Sequence, residues 1–179
     1  MIGYVTSVNV SNGGVPKNSV KHAFISREGL EGDDWNDKKI HGGLEQAVCL
    51  FSSEVLDDLN SKGFRVIENT PNPRFENKIG TGLRHGDLGE NLTTIEINYA
   101  MIRIGYTYLV GSAIIKITKP RQPCQTIYEV FGPHLGKAIY DNGVEHLDFS
   151  SPMWGRSGFY ASVLREGEVI SGSTIERVD

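Results

Sequence analysis

The first ten residues alternate. Ile2, Tyr4 and Val8 are apolar around a small Thr6, so residues 2–10 read as a half-buried strand, and Ser11-Asn12-Gly13-Gly14 reads as the turn that ends it. Residues 20–26 alternate in part and predict a second strand. Residues 46–51, apolar after Gln46, predict a buried strand with Cys49 in the core. The period then lengthens. Val55, Leu56 and Leu59 share one helical face behind a serine cap and an acidic first turn, and Gly63 is the predicted stop. Residues 68–78 carry Pro71 and Pro73 and read as a polar surface loop. Residues 101–107 and 108–118 are rich in β-branched and aromatic side chains and predict two strands, with a turn at Val110-Gly111-Ser112. Ile127, Val130 and Phe131 return to helical spacing, Gly132-Pro133 ends that piece, and residues 135–140 predict a further helical turn. Asn142-Gly143 reads as a turn, residues 159–170 as a hairpin, and residues 174–178 as a last short strand.

Many short strands and few helices leave an edge problem. A closed or nearly closed antiparallel β-barrel with a few peripheral helices hides those edges most economically. The 21 scattered glycines suit the tight turns such a fold needs. A length of 179 residues without internal repeats or a linker predicts a single domain over residues 1–179. The net charge of -4 argues against broad nucleic-acid binding while leaving room for a local basic pocket. No apolar run is long enough to span a bilayer, the opening residues lack the pattern of a signal peptide, and two cysteines make no disulfide framework. The expected setting is the cytoplasm.

The densest candidate chemistry follows the strand that ends near Ile117, in Lys119-Pro120-Arg121-Gln122-Pro123-Cys124. Each proline fixes its own φ and pushes the preceding residue toward extended geometry, so the loop is stiff and aims Cys124. Lys119 and Arg121 place positive charge nearby, and positive charge lowers a thiol's pKa toward the reactive thiolate. The alternative is a cysteine that only packs. A second segment, Lys38-Lys39-Ile40-His41-Gly42-Gly43, offers cationic donors beside a glycine pair that lets backbone amides face an anion, and it fits an ordinary turn equally well. A third, Gly86-Asp87-Leu88-Gly89-Glu90-Asn91-Leu92-Thr93-Thr94, bends tightly and carries hydrogen-bonding side chains, which serve either a site or the turn itself. The acidic turn over residues 28–34 reads as solvated surface.

Four segments in order resemble the MOSC family, named for the C-terminal domain of molybdenum cofactor sulfurases, and most of all its small stand-alone bacterial members. They are Gly32-Asp33 with Asp37 and His41-Gly42-Gly43; Gly89-Glu90-Asn91-Leu92-Thr93-Thr94; Lys119-Pro120-Arg121-Gln122-Pro123-Cys124; and Gly158-Phe159-Tyr160 running to Gly172. The resemblance implies a mostly antiparallel barrel and matches the family cysteine to Cys124. It implies two functions. In one, the chain binds the molybdenum cofactor (molybdopterin) with Cys124 as metal ligand and is an oxidoreductase component that reduces N-hydroxylated compounds, taking electrons from a partner redox protein. Lys119 and Arg121 would then bind phosphate, His41, Gly42 and Gly43 would line the anion end, Glu90, Asn91 and Thr93 would hydrogen-bond the pterin or substrate, and Asp37 would brace the His41 turn. In the other, Cys124 is a sulfur carrier. It receives sulfur as a persulfide from a cysteine desulfurase and delivers it for metal-sulfur cluster or cofactor assembly, with pyridoxal phosphate belonging to that partner.

Overall fold

The computed structural model describes residues 2–34 and 42–179. Eleven strands occur among them: β1 (Ile2–Val10), β2 (Asn18–Val20), β3 (His22–Ser26), β4 (Gly29–Leu30), β5 (Val48–Ser52), β6 (Leu92–Ile95), β7 (Thr107–Val110), β8 (Ala113–Pro120), β9 (Phe159–Arg165), β10 (Gly167–Ile170) and β11 (Thr174–Arg177). Four helices accompany them: α1 (Ser53–Ser61), α2 (Gln125–Phe131), α3 (Pro133–Ile139) and α4 (Asn142–Glu145).

Strand β1 is long enough to serve three neighbours. Its first residues pair with β11, its middle and end pair with β6, and its last three residues also pair with β2. Because β11 then pairs with β7, the order β1-β11-β7-β8-β9-β5-β6 returns to β1 and closes a seven-stranded barrel. Closure satisfies backbone groups that an open sheet would leave at its edges. The predicted antiparallel barrel holds with one difference: β5 and β6 are parallel. Parallel neighbours need a crossover rather than a tight turn, and α1 lies in that connection. Ser52 caps α1 as expected, its side chain accepting from the Val55 amide at 3.2 Å.

Two hydrophobic clusters follow from this arrangement. One includes Val5, Val8, Val48, Leu50, Ile115, Ile117, Phe159 and Ala161 from the barrel strands. The other packs Phe51 of β5 against Leu56 and Leu59 of α1, Ile127 and Val130 of α2, and Leu135 and Ile139 of α3. Since side chains alternate along a strand, Leu50 and Phe51 serve opposite faces of the barrel wall. The site described below lies on the Phe51 side, where loops and helices cover the sheet.

Several sequence expectations change. Residues 20–26 split into β2 and β3, which belong to different sheets. Residues 101–107 are not a strand. A short 3-10 turn at Tyr99–Met101, capped by the Asn98 side chain, occupies that region, and β7 starts only at Thr107. The expected hairpin over residues 159–170 does not form. Strand β9 already has β8 on one side and β5 on the other, so β10 leaves it and pairs with β3. The loop over residues 68–78 is more than surface. Pro73–Lys78 is a 3-10 helix that buries Phe75 edge-on against Phe131, with ring centroids 5.7 Å apart. Asn142-Gly143 begins α4 instead of ending as a turn. Among the described residues no helix is long and apolar enough to cross a membrane.

Gly158, just before β9, has φ +83, and a Cβ there would stand 2.2 Å from the Leu50 carbonyl oxygen. Gly158→Ala therefore combines left-handed backbone strain with a clash against fixed backbone. Its expected cost is ~2–3 kcal/mol, read as a fall in Tm of about 5–10 °C.

Candidate functional site

Local chemistry is assembled along one line across the barrel wall. Lys119 of β8 pairs with Tyr160 of β9, and Tyr160 pairs with Cys49 of β5. Asn91 adjoins Cys49, donating its amide to the Cys49 carbonyl at 2.8 Å, and the Asn9 amide donates to the Asn91 carbonyl at 2.7 Å. The Lys119 ammonium lies over the Tyr160 ring, 5.6 Å from its centroid.

The loop carrying Cys124 is held at both ends. Pro120 is buried opposite Phe159 at the end of β8, and the next amide, of Arg121, still donates to the Gly158 carbonyl at 2.9 Å. Cys124 is the residue that precedes α2, and its carbonyl accepts from the Ile127 amide at 3.0 Å. With α2 anchored by Ile127 and Val130 in the second cluster, the cysteine has little freedom to move.

Cys124 is half-buried between two cavities. The inner one has a volume of about 100 Å³ and is bounded by Cys49, Cys124, Arg121, Tyr160, Asn91 and Gly42, with Lys17 and Asp33 closing one side. The outer cleft, about 320 Å³, shares Gln46, Cys124 and Tyr160 with it and adds Lys119, Gln122, Tyr140 and Glu145. A larger cleft of about 610 Å³ lies by Glu54, Glu96, Trp154 and Arg156, with neither cysteine in its walls. Volume alone would favour it, and Tyr99 in its wall is raised by burial, but Cys49, Arg121, Tyr160 and Glu90, all with shifted protonation, act on one another around the cysteines.

Arg121 dominates the electrostatics. Its residue is only 5% exposed. Burial alone would lower its pKa, yet Cys49, Tyr160, Cys124 and Glu90 around it raise it above the ordinary arginine value, so the guanidinium stays charged. It donates to the Leu88 carbonyl. Among the described residues no carboxylate forms an ion pair with it. Glu90 acts on it from beyond contact distance, and a buried charge without a contacting counter-ion is costly. The second cation, Lys17, is paired with Asp33, whose other oxygen accepts from the Ser11 amide at 2.9 Å.

Asn91 organises this corner. Its Oδ1 accepts from the Cys49 amide at 3.0 Å, and its Nδ2 donates to Asp33 at 2.8 Å. The turn that includes Val15 of the cavity wall is tied down from the 3-10 helix side, where Arg74 donates to the Gly13 carbonyl and Asn72 to the Val15 carbonyl. Burial pushes the Cys49 thiol up to about 11 despite the lowering influence of Arg121 and Lys17. Burial likewise pushes the Tyr160 phenol up to about 12, with Cys49 adding to it and Arg121 opposing. Both therefore carry their protons at neutral pH.

The expected site residues fall into four groups. Cys124, Arg121, Asn91 and Gly42 border the inner cavity, and Lys119 borders the outer cleft. Gly43, with φ 84, precedes the short 3-10 helix Leu44–Gln46 and lines neither cavity. Glu90 and Thr93 are fully buried behind the cavity wall. The Glu90 Oε1 accepts from the Gly86 amide at 2.6 Å and the Thr93 hydroxyl at 3.0 Å, and Thr93 also accepts from Asn9. His41 and Asp37 lie outside the described residues.

Sequence reading missed Lys17 and Tyr160 as cavity residues and placed Asp33 on a solvated turn, although its side chain is 6% exposed. Cys49 is buried as expected, and it also borders the cavity. The glycine–phenylalanine–tyrosine segment was the available signal for Tyr160. The Lys17–Asp33 pair spans three strands and leaves no local trace.

Glu90 permits a separate test. Burial raises its carboxyl above the ordinary range, against lowering by the Gly86 amide, the Arg121 charge and Thr93. The unfolded chain therefore ionises Glu90 first as pH rises. Its contribution to stability is fully present below the unfolded pKa and is lost as pH climbs through the folded one. Glu90→Gln keeps the Oε1 acceptor and removes the titration. The wild type is expected to lose stability relative to this variant across that window, measured as Tm against pH.

Comparison with known proteins adds the family context. A family model described as the MOSC domain matches residues 37–176. YflK of Bacillus subtilis is 29% identical over 164 residues, which is 91% of this chain and 62% of YflK. A protein of Gibberella moniliformis named Reductase is 27% identical over 158 residues, 87% of this chain and 24% of that protein. This chain thus spans less than two thirds of the length of either. The crystal structure of YiiM from Geobacillus stearothermophilus superimposes with a TM-score of 0.69 at 23% identity, covering 99% of this chain and 75% of that one, a likeness of fold.

Proposed function

The chain belongs to the MOSC domain family, and from that premise we propose that it binds the molybdenum cofactor beside Cys124 and acts as an oxidoreductase component toward N-hydroxylated compounds. The observation that carries this reading is the buried Arg121 charge, which has no carboxylate partner among the described residues and borders a cavity that also contains a cysteine. Such a charge calls for an anion, and a terminal phosphate or oxyanion of a cofactor answers it.

The residues present fit the group. Cys124 is a soft thiolate donor of the type that suits molybdenum. Arg121 and Lys17 offer cationic donors on the inner side and Lys119 on the outer, and the Gly42 backbone approaches the cavity at φ 82. The outer cleft of about 320 Å³ leaves room for a small substrate next to the cysteine. When bound, the cofactor would supply two-electron redox chemistry. The chain's own part is to ligate, to neutralise anionic charge through Arg121 and Lys119, and to keep Tyr160 protonated as a hydrogen-bond donor where the two cavities meet. Electrons come from a separate redox protein. The Gibberella relative's name, Reductase, agrees with this class. The test is an assay of cofactor-loaded protein with an N-hydroxylated aromatic amine and an electron-donating pair. Conversion to the amine supports the reading, and loaded protein inert toward hydroxylamines, N-oxides and amidoximes contradicts it.

A second reading has its own observation: two thiols, Cys49 and Cys124, border the same 100 Å³ chamber. That volume suits a sulfur atom, so a persulfide on Cys124, loaded by a cysteine desulfurase that carries its own pyridoxal phosphate, remains the competing function.

A further inference from the structure

The sulfur-transfer reading leaves open how sulfur would leave Cys124, and the position of Cys49 suggests an answer. A chamber of about 100 Å³ has room for only a few water-sized groups. Both cysteines are in its wall, and neither is in a disulfide. Cys49 is fixed on β5 by its amide bond to Asn91 and by pairing with Tyr160. Cys124 sits on the loop above, reached from both the chamber and the outer cleft. The two thiols are thus unequal. Cys124 borders both the chamber and the outer cleft, and Cys49, 4% exposed, borders only the chamber.

We propose that Cys49 is the resolving thiol of this site, releasing sulfide from a persulfide carried on Cys124. The step rests on the sulfur-carrying reading and belongs to protein whose Cys124 is not ligating a metal. The Cys49 sulfur attacks the Cys124 Sγ, forming the Cys49–Cys124 disulfide and breaking the bond between Cys124 Sγ and its outer sulfur. The outer sulfur leaves as hydrosulfide and takes up the proton lost by Cys49, so one persulfide and one thiol become one disulfide and one hydrogen sulfide. The outer sulfur is reduced by two electrons and the cysteine pair is oxidised by two. A small-molecule thiol of the glutathione class, two per turnover, reduces the disulfide and restores both cysteines.

The chemistry assigns the order. Exchange rates depend on the thiolate fraction and on access. Cys124 borders the outer cleft and Cys49 does not, so a sulfur donor arriving there loads Cys124 first, and because burial holds the Cys49 thiol protonated the second attack is expected to quicken as pH rises. Arg121, close to both sulfurs, stabilises the attacking thiolate and the departing hydrosulfide alike. Because the chamber is small, hydrosulfide is released beside the outer cleft, where an acceptor metal or cofactor can be met.

The experiment bypasses the desulfurase, so that failure of the loading and failure of the release are separable. Reduced wild type, Cys49→Ser and Cys124→Ser proteins are treated with sodium tetrasulfide, desalted and followed by intact mass, peptide mapping and sulfide detection. The expected wild-type product is a Cys49–Cys124 disulfide, about 2 Da lighter than the dithiol, with about one equivalent of sulfide set free. Cys49→Ser is expected to hold the added sulfur, about 32 Da, on Cys124 and to release at least tenfold less sulfide. A wild type that keeps its persulfide as long as Cys49→Ser does, with Cys49 still open to alkylation after unfolding, overturns the proposal while leaving Cys124 as a carrier. Absence of sulfur uptake at Cys124 in both proteins overturns the carrier reading and the proposal together. The wild-type disulfide map stands by itself if the serine variant is unstable.

Discussion

Cys124→Ala is expected to lower retained molybdenum on the order of 100-fold or more, because even loss of an outer-shell partner of a metal ligand costs about 10–100-fold. The same substitution should leave the fold intact. Cys124 is half-buried, and its side chain does not cap α2. The loop is held by the Arg121 amide bond to Gly158 and by Ile127 in the helical layer, neither of which involves the sulfur. The expected Tm change is under about 3 °C. Metal analysis alongside thermal unfolding separates the two effects. A variant that keeps its metal removes the cysteine from the site's chemistry, and one that unfolds shows the thiol to be structural.

Arg121→Met carries the second large effect. Methionine fills much of the same volume but removes a charge that forms no direct ion pair with a carboxylate among the described residues. A hydrogen bond to a charged group contributes about 1.5–3 kcal/mol, so retention of an anionic cofactor should fall by roughly 10–100-fold. Stability should move less. The Leu88 carbonyl loses its donor, which costs about 1–3 kcal/mol, and relief of a buried unpaired charge offsets part of that. Arg121→Lys should fall between the two, since lysine keeps the charge but lacks the planar fork of donors. Cofactor content by phosphate and metal analysis, set against Tm, distinguishes a binding role from a structural one. Equal retention in all three proteins contradicts the assignment.

The parts of this molecule that sequence foretold are those governed by neighbours in the chain. Alternation in residues 2–10 marks β1, a serine before an acidic turn marks the start of α1, and two prolines mark the stiff loop that presents Cys124. What escaped depends on distant partners. Whether β10 turns back on β9 depends on whether β9 still has an open edge, and β5 has taken it. A phenylalanine in a proline-rich stretch looks exposed until Phe131 arrives from α2 to cover it. Asp33 resembles its exposed neighbours Glu31 and Asp34 until Lys17, Ser11 and Asn91 converge on it. In the candidate site, sequence pointed to a cationic loop with a cysteine. The sheet register supplied what the string of letters does not contain: Tyr160 between Lys119 and Cys49, and two thiols on one chamber. Glu90, Asn91 and Thr93 were grouped by sequence as ligand-binding side chains. Their positions differ, with Asn91 at the cavity and the other two in the hydrogen-bonded layer behind it.

A pocket around Cys124 and Arg121 that holds the molybdenum cofactor should retain the metal. The most direct measurement is the molybdenum content of the wild-type protein, purified from cells able to make that cofactor. Near-stoichiometric molybdenum that stays with the protein through gel filtration is the expected result. Protein free of molybdenum, with an extra sulfur on Cys124 of the Cys49→Ser variant or a Cys49–Cys124 disulfide in the wild type by intact mass, would contradict it and favour the sulfur-carrying function in its place.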